Sequence, residues 1–158
     1  MPKPRKNQQK SAPSAVVNRR ACFDYALGDE LTVGVELTGP ETKAARQGHV
    51  TLKGAYVSLQ NNELWLTNAS FSLASHERGE NRTVDARPKK LLAHRKEIDR
   101  LSASRQQGYS IIPTKLLTKG RYVKLIIALG KGKKLYDKRE TIKKRDQKRE
   151  DARIAKIR

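Results

Sequence analysis

Three histidines, His49, His76 and His94, and one cysteine, Cys22, are the chain's candidates for base, nucleophile and soft-metal chemistry. They occur singly. Metal and acyl-transfer sites need fixed spacings such as HxxxH or GxSxG, and phosphate loops need GxxxxGK[ST]; none of these, and no catalytic carboxylate pair, is present. The expectation is a protein that is not an enzyme and holds no metal or other cofactor, each histidine being a surface or hydrogen-bonding residue. A lone cysteine also forms no intramolecular disulfide, which fits a reducing, cytoplasmic compartment.

The chemistry present in quantity is cationic. The 158 residues hold 35 Lys and Arg against 16 Asp and Glu, a formal net charge of +19. Residues 1–20 carry six basic and no acidic residues, and residues 130–158 carry thirteen basic and five acidic ones. The stretch 21–129 is nearly balanced at +5, yet holds Trp65, Phe23, Phe71 and most of the Leu, Ile and Val. One small core with two basic arms is implied. Such arms gain free energy by displacing counterions from a phosphate backbone, so a nucleic acid is the expected partner rather than mere self-repulsion. No apolar run is long enough to span a membrane, and MPKPRKNQQKSAPSA lacks the apolar centre of a secretory signal.

The elements that position these groups follow from periodicity. Residues 1–17 are polar and expected to be disordered. In LTVGVELT (31–38), Leu31, Val33, Val35 and Leu37 share one face, as in a half-buried strand. Gly39-Pro40 ends it, and PETKAARQG reads as a short helix stopped by Gly48. VTLKGAYVSL and ELWLTNASF flank Gln60-Asn61-Asn62 and read as a hairpin, because Asn tolerates positive φ. Ser75–Lys90 reads as a loop, and LLAHRKEIDRLSASRQQG as a helix with Ile98 and Leu101 inward and Gly108 as its stop. YSIIPTKLLTKGRYVKLIIAL forms a second hairpin turning at Lys119-Gly120; Pro113 predicts an edge or a bulge there. Val123, Leu125, Ile127 and Leu129 alternate inward. The fold class is mainly β: a small closed antiparallel barrel, oligonucleotide-binding-like with a Greek key, carrying short accessory helices. Its domain spans 18–129, between a disordered arm (1–17) and a basic tail (130–158).

In that tail, Gly130 and Gly132 predict a flexible joint. Asp137-Lys138-Arg139-Glu140 resembles a capping box. The sequence beyond lacks a continuous apolar face, so it is expected to be disordered alone and helical in an RNA groove.

Three segments, NRRACFDYALGDELTVGVELTG, KKLLAHRKEIDRL and IALGKGKKLYDKRETIKKRD, resemble the SsrA-binding protein (small protein B) family. The second is close to the family's RKLLLHKREIDRL helix, and the third nearly repeats the family's own wording. The resemblance covers roughly residues 18–158. It implies a non-enzymatic RNA-binding barrel that grips the tRNA-like part of transfer-messenger RNA. It also implies delivery of that RNA, with elongation factor Tu, to a stalled ribosome for peptide tagging. In that picture the tail enters the decoding centre and the empty mRNA channel against small-subunit ribosomal RNA. A monomer is expected.

On this resemblance Asn18, Arg19, Arg20, Tyr25 and Tyr56 face transfer-messenger RNA, the arginines on phosphates and the tyrosines on unpaired bases. Lys89, Lys90, His94 and Arg95 gather at the start of the second helix as further phosphate ligands, with Lys131, Lys133 and Lys134 after them. Gly132, Tyr136, Asp137, Lys138 and Arg139 match the decoding-centre segment, Lys143, Lys144 and Arg145 follow into the channel, and Ile154 packs the tail there. The chain departs from the family at Thr32-Val33, at Thr42 and at Gly54, which implies altered RNA contacts. A generic ribosomal RNA-binding protein with a small barrel and basic arms is the alternative reading; an RNA-processing enzyme and a nonspecific nucleoid protein are the more distant ones.

Overall fold

The computed structural model describes residues 15–74 and 83–157. The expected disorder of residues 1–14, the segment 75–82 and His76 lie outside the described residues. The fold is mainly β. In chain order it runs β1 (Ala15–Val17), α1 (Arg19–Asp24), β2 (Tyr25–Val35), α2 (Gly39–Arg46), β3 (Val50–Thr51), β4 (Tyr56–Gln60) and β5 (Glu63–Thr67). It continues with β6 (Ser70–Leu73), β7 (Thr83–Asp85), β8 (Lys89–Leu92), α3 (Arg95–Gln106), β9 (Ser110–Leu117), β10 (Lys124–Gly132) and α4 (Leu135–Ile157).

Six strands pair in the order β9-β10-β2-β8-β5-β4, and β4 returns to β9 at Val57 opposite Ile111, so the sheet is a ring. The described pairs are antiparallel. Inside lie Val33, Leu64, Leu66, Leu91, Leu116, Leu125 and Ile127, each at most 3% exposed. These are the apolar positions of the alternating strands, turned inward by the pleat. β3, β6 and β7 form a separate three-stranded sheet, against which α2 packs.

Local chemistry explains the turns. Asn61 and Asn62 adopt φ of 49° and 61°, the left-handed pair that a two-residue hairpin between β4 and β5 requires. Thr38 and Glu41 form a capping box at α2, and Gly48 follows that helix at φ 78°. The Pro113 expectation holds as a bulge. The β9–β10 register slips where Ile126 faces Lys115 but Ile127 faces Pro113, leaving Thr114 as the extra residue.

Five expectations need correction. Ala15–Val17 is not disordered but pairs with Leu117–Lys115 of β9. The 75–90 loop contains β7, and its end, Lys89-Lys90, opens β8, which also takes Leu91-Leu92 from the expected helix, so that α3 starts at Arg95. The hairpin's first half is divided, since Val50–Thr51 joins the smaller sheet. The joint at Gly130–Gly132 is strand, paired with Tyr25–Leu27; a Cβ at Gly130 would stand 3.2 Å from the Tyr25 Cβ and 3.3 Å from Leu27 Cδ2. That glycine serves a close approach of two strands, not freedom. Finally, the tail has the helical form, from Leu135 to Ile157, but its cap is formed by Lys134 N–H donating to Asp137 Oδ2 at 3.2 Å, one turn earlier than Glu140.

Candidate nucleic-acid interface

A cleft of about 630 Å³ opens beside α1. Its walls are α1 with the first residue of β2, the 53–55 turn with the start of β4, and the end of α3 with the start of β9. Tyr25, Tyr56 and Tyr109 line it together with Arg20, Lys53 and Arg105. Tyr56 is 47% exposed and Tyr109 41%, so their rings are not spent on the core. Exposed aromatic rings flanked by cations offer stacking faces to unpaired bases and counter-charges to phosphates.

Each ring has a local reason for its place. Tyr25 ends α1 and begins β2, with Gly130 making room beside its Cβ. Tyr56 follows Gly54, whose φ of 77° bends the chain into β4 and whose carbonyl accepts from Asn68 Nδ2 at 3.1 Å. Tyr109 follows a Schellman stop on α3: Gly108 N–H donates to Arg105 O at 3.0 Å and Tyr109 N–H to Ser104 O at 3.3 Å. Sequence reading missed Tyr109, Lys53 and Arg105. The signal available was an aromatic directly after a glycine helix stop, a position that the motif fixes at the end of the helix.

Asn18 stands in the family motif and borders the cleft, but its side chain is committed to the fold. It is 5% exposed, and its side-chain hydrogen-bonding capacity is used internally. Nδ2 donates to Leu52 O and Pro113 O, both at 2.9 Å, and Oδ1 caps α1 through Ala21 N–H at 3.2 Å. It locks α1 where the edge of β9 passes from β1 to β4. Its neighbours Arg19 and Arg20 are exposed, and Arg20 pairs with Asp24 at 3.0 Å.

The Lys89 expectation is also corrected. Lys89 is 2% exposed and bridges Glu41 (2.9 Å) and Asp85 (3.0 Å), with its ammonium 5.2 Å from the Phe71 ring centre. Glu41 also takes Arg87 at 2.6 Å and the Thr38 N–H at 2.7 Å. Burial pushes the Glu41 carboxyl up, but the Thr38 N–H, Lys89 and Arg87 outweigh it and hold the group below its ordinary range. Asp85 is lowered too, against its own desolvation, by the Arg87 N–H and its neighbours in the cluster. This network ties α2, β7 and β8 together and spends the Lys89 charge on two carboxylates. Lys90 pairs with Glu63 at 2.6 Å, which raises its pKa, and with Arg95 it lines a shallow groove away from the cleft. His94 precedes α3 and is exposed, its N–H held by Glu97 Oε2 at 2.8 Å.

The tail residues form a second surface, joined to α1 at its root. Lys131 and Gly132 finish β10, and Lys134 caps α4; all three are exposed. Lys133 is drawn onto α1, Nζ donating to Cys22 O and N–H to Asp24 O, both at 2.9 Å. Lys138 pairs with Asp24 at 2.9 Å. Tyr136, Arg139, Lys143, Lys144, Arg145 and Ile154 are exposed along α4, Tyr136 and Ile154 each at 61%. Among the described residues no cluster of three or more His, Cys, Asp or Glu side chains could hold a metal, and no helix is long and apolar enough to cross a membrane.

The family model described as SmpB protein matches residues 15–157. An SsrA-binding protein of Caldicellulosiruptor bescii is 43% identical, the match covering 89% of each chain. One from Rhodopseudomonas palustris is 44% identical, over 89% of this chain and 90% of its own. A chain of the solved structure "tmRNA-SmpB: a journey to the center of the bacterial ribosome" superposes with a TM-score of 0.61 at 34% identity, covering 78% of this chain and 87% of that one. These matches do not favour the generic ribosomal reading. With a profile match over nearly the whole chain and relatives above 40% identity, this protein belongs to the SmpB, or SsrA-binding protein, family.

Proposed function

We propose that this chain binds the tRNA-like part of transfer-messenger RNA and brings it to stalled ribosomes for trans-translation, with α4 as the element that enters the decoding centre and mRNA channel. The observation that carries this is the pairing of two surfaces in one small chain: an aromatic, basic cleft, and a projecting basic helix. A single nucleic-acid site would not need both. The ring of strands is read as a closed barrel of the oligonucleotide-binding kind, whose rim carries the cleft. The chain then divides into a barrel ending near Gly132 and a tail beginning at Lys133.

Within the cleft, Tyr25, Tyr56 and Tyr109 would stack on unpaired bases and Arg20, Lys53 and Arg105 would meet phosphates. Arg19, Lys90, His94, Arg95, Lys131 and Lys134 would extend the phosphate contacts around the barrel. On α4, Tyr136 would stack in the decoding centre, and Arg139, Lys143, Lys144 and Arg145 would neutralise ribosomal phosphates. Elongation factor Tu as co-carrier, action as a monomer and a cytoplasmic site of action complete the reading. Recovery of the RNA bound to the tagged protein from a bacterial lysate tests it. Enrichment of transfer-messenger RNA over transfer RNA and ribosomal RNA is expected; equal recovery of bulk RNA or duplex DNA would overturn it.

A further inference from the structure

Trp65, the chain's single tryptophan, is not spent on the core. It stands half-buried on the outer face of the ring, between Leu64 and Leu66, which point inward. It belongs neither to the buried cluster nor to the partly buried apolar residues packed on it. Register fixes its neighbours. Trp65 is opposite Ser58 of β4 on one side and Lys90 of β8 on the other, and Tyr56 of the cleft is opposite Thr67. Tyr56, Ser58, Trp65 and Thr67 share the outer face, because outward positions recur at every second residue. Tyr56 and Trp65 are therefore diagonal neighbours on adjacent strands, with backbones about 7–8 Å apart. A step of that size suits one nucleotide of an extended strand, and stacking on rings tolerates any base. Beside Trp65, a shallow pocket of about 380 Å³ is walled by Leu37, Arg87, Pro88 and Lys90 as well. Glu63 holds Lys90 at 2.6 Å, but the two side chains are 36% and 42% exposed, and a pair so open to water is weak.

We propose that the RNA path continues out of the cleft, from Tyr56 to Trp65 and on to Lys90, so that the outer face of β4, β5 and β8 carries an unpaired RNA segment. Trp65 stacks on one of its bases, Lys90 meets the adjoining phosphate, and Glu63 competes with that phosphate for Lys90. The occupant is RNA because the face is continuous with the cleft at Tyr56 and offers the same pairing of ring and cation. The proposal rests on the cleft being an RNA site and extends that site onto β5 and β8.

Trp65 is its own probe, since no other tryptophan contributes to the emission of the full chain. The RNA is a transcript of the tRNA-like part of transfer-messenger RNA, and the anisotropy of an end-labelled copy reports binding independently. Trp65 emission should be quenched, and protected from acrylamide, with the same midpoint as the anisotropy. Trp65→Leu should weaken binding about five- to a hundredfold, the range for one lost base stack, and Trp65→Phe should recover most of it. Glu63→Gln should tighten binding about two- to fivefold at low salt by releasing Lys90, and the gain should vanish at high salt. The emission of the unaltered chain needs no variant to fold. A bound transcript that leaves Trp65 emission and acrylamide access unchanged overturns the path, as does a Trp65→Leu affinity equal to that of the unaltered chain; a Trp65 that faces a protein instead would give both. Glu63→Gln binding no tighter than the unaltered chain removes Lys90 from the path. Tyr109→Ala keeps the two readings apart. If it weakens binding while Trp65 stays silent, the cleft stands and its extension falls. A transcript that does not bind, or that binds Tyr109→Ala equally well, overturns the cleft itself and the extension with it.

Discussion

Replacing Asn18 by alanine separates two roles that the family motif runs together. The side chain donates to two carbonyls, Leu52 O and Pro113 O at 2.9 Å, and caps α1 through Ala21. Losing the cap costs about 1 kcal/mol. Pro113 O loses a buried partner, at about 1 kcal/mol or more, whereas Leu52 O keeps the Ala55 N–H at 3.1 Å and loses less. The sum is about 2–4 kcal/mol, a large part of the roughly 5–15 kcal/mol that a domain possesses. For a chain of this size that is a fall in Tm of about 10 °C. Urea denaturation followed by circular dichroism measures the loss. Affinity for the tRNA-like RNA, measured at a temperature where both proteins are folded, should stay within about twofold, since every side-chain hydrogen bond of Asn18 is internal. A fully stable variant with RNA binding weakened about tenfold would refute the reasoning and return Asn18 to the RNA face.

Glu41→Gln should keep the cap on α2 but strip Lys89 of one buried partner, costing about 2–4 kcal/mol at neutral pH by urea denaturation. Both carboxyls of that cluster, Glu41 and Asp85, lie below their ordinary values of 4.5 and 3.8 in the folded chain. Their stabilisation is therefore present at neutral pH and lost as pH falls through the carboxylate range, so Glu41→Gln should flatten the decline of stability between about pH 5 and 3. Tyr109→Ala should weaken RNA binding by about 1–3 kcal/mol in a filter-binding or anisotropy assay and lower the urea midpoint only modestly, because the residue is 41% exposed and lies outside the core. A log–log plot of that affinity against salt should fall with a slope of about −0.7 to −0.9 per neutralised phosphate, and a flat plot would argue against phosphate contacts.

The parts of the fold legible in the sequence are those written in local chemistry. Asn61-Asn62 specifies its hairpin because few residues tolerate positive φ twice in succession. Gly48 and Gly108 stop their helices for the same reason, and Pro113 marks a bulge because it lacks an N–H. What stayed hidden depends on partners far along the chain. Ala15–Val17 becomes a strand only because β9, a hundred residues later, offers an edge, and nothing in AVV says so locally. Lys89 looked like one more surface cation; its burial is decided by Glu41 and Asp85, which arrive from α2 and β7. Gly130 looked like a hinge because glycine spacing cannot distinguish freedom from close approach, and only the Tyr25 and Leu27 contacts do so. In the candidate site, Arg20, Tyr25 and Tyr56 were legible from the motif, whereas Tyr109 needed the α3 stop to be placed beside them.

The most direct test of the two-surface account is peptide tagging on ribosomes stalled at the end of a truncated message, using the full chain and a chain ending at Lys134. The account predicts that the shortened protein still binds transfer-messenger RNA, because the cleft is intact, and supports no tagging, because α4 is gone. Tagging by the shortened protein at the full-length rate would contradict it, as would loss of RNA binding together with the helix.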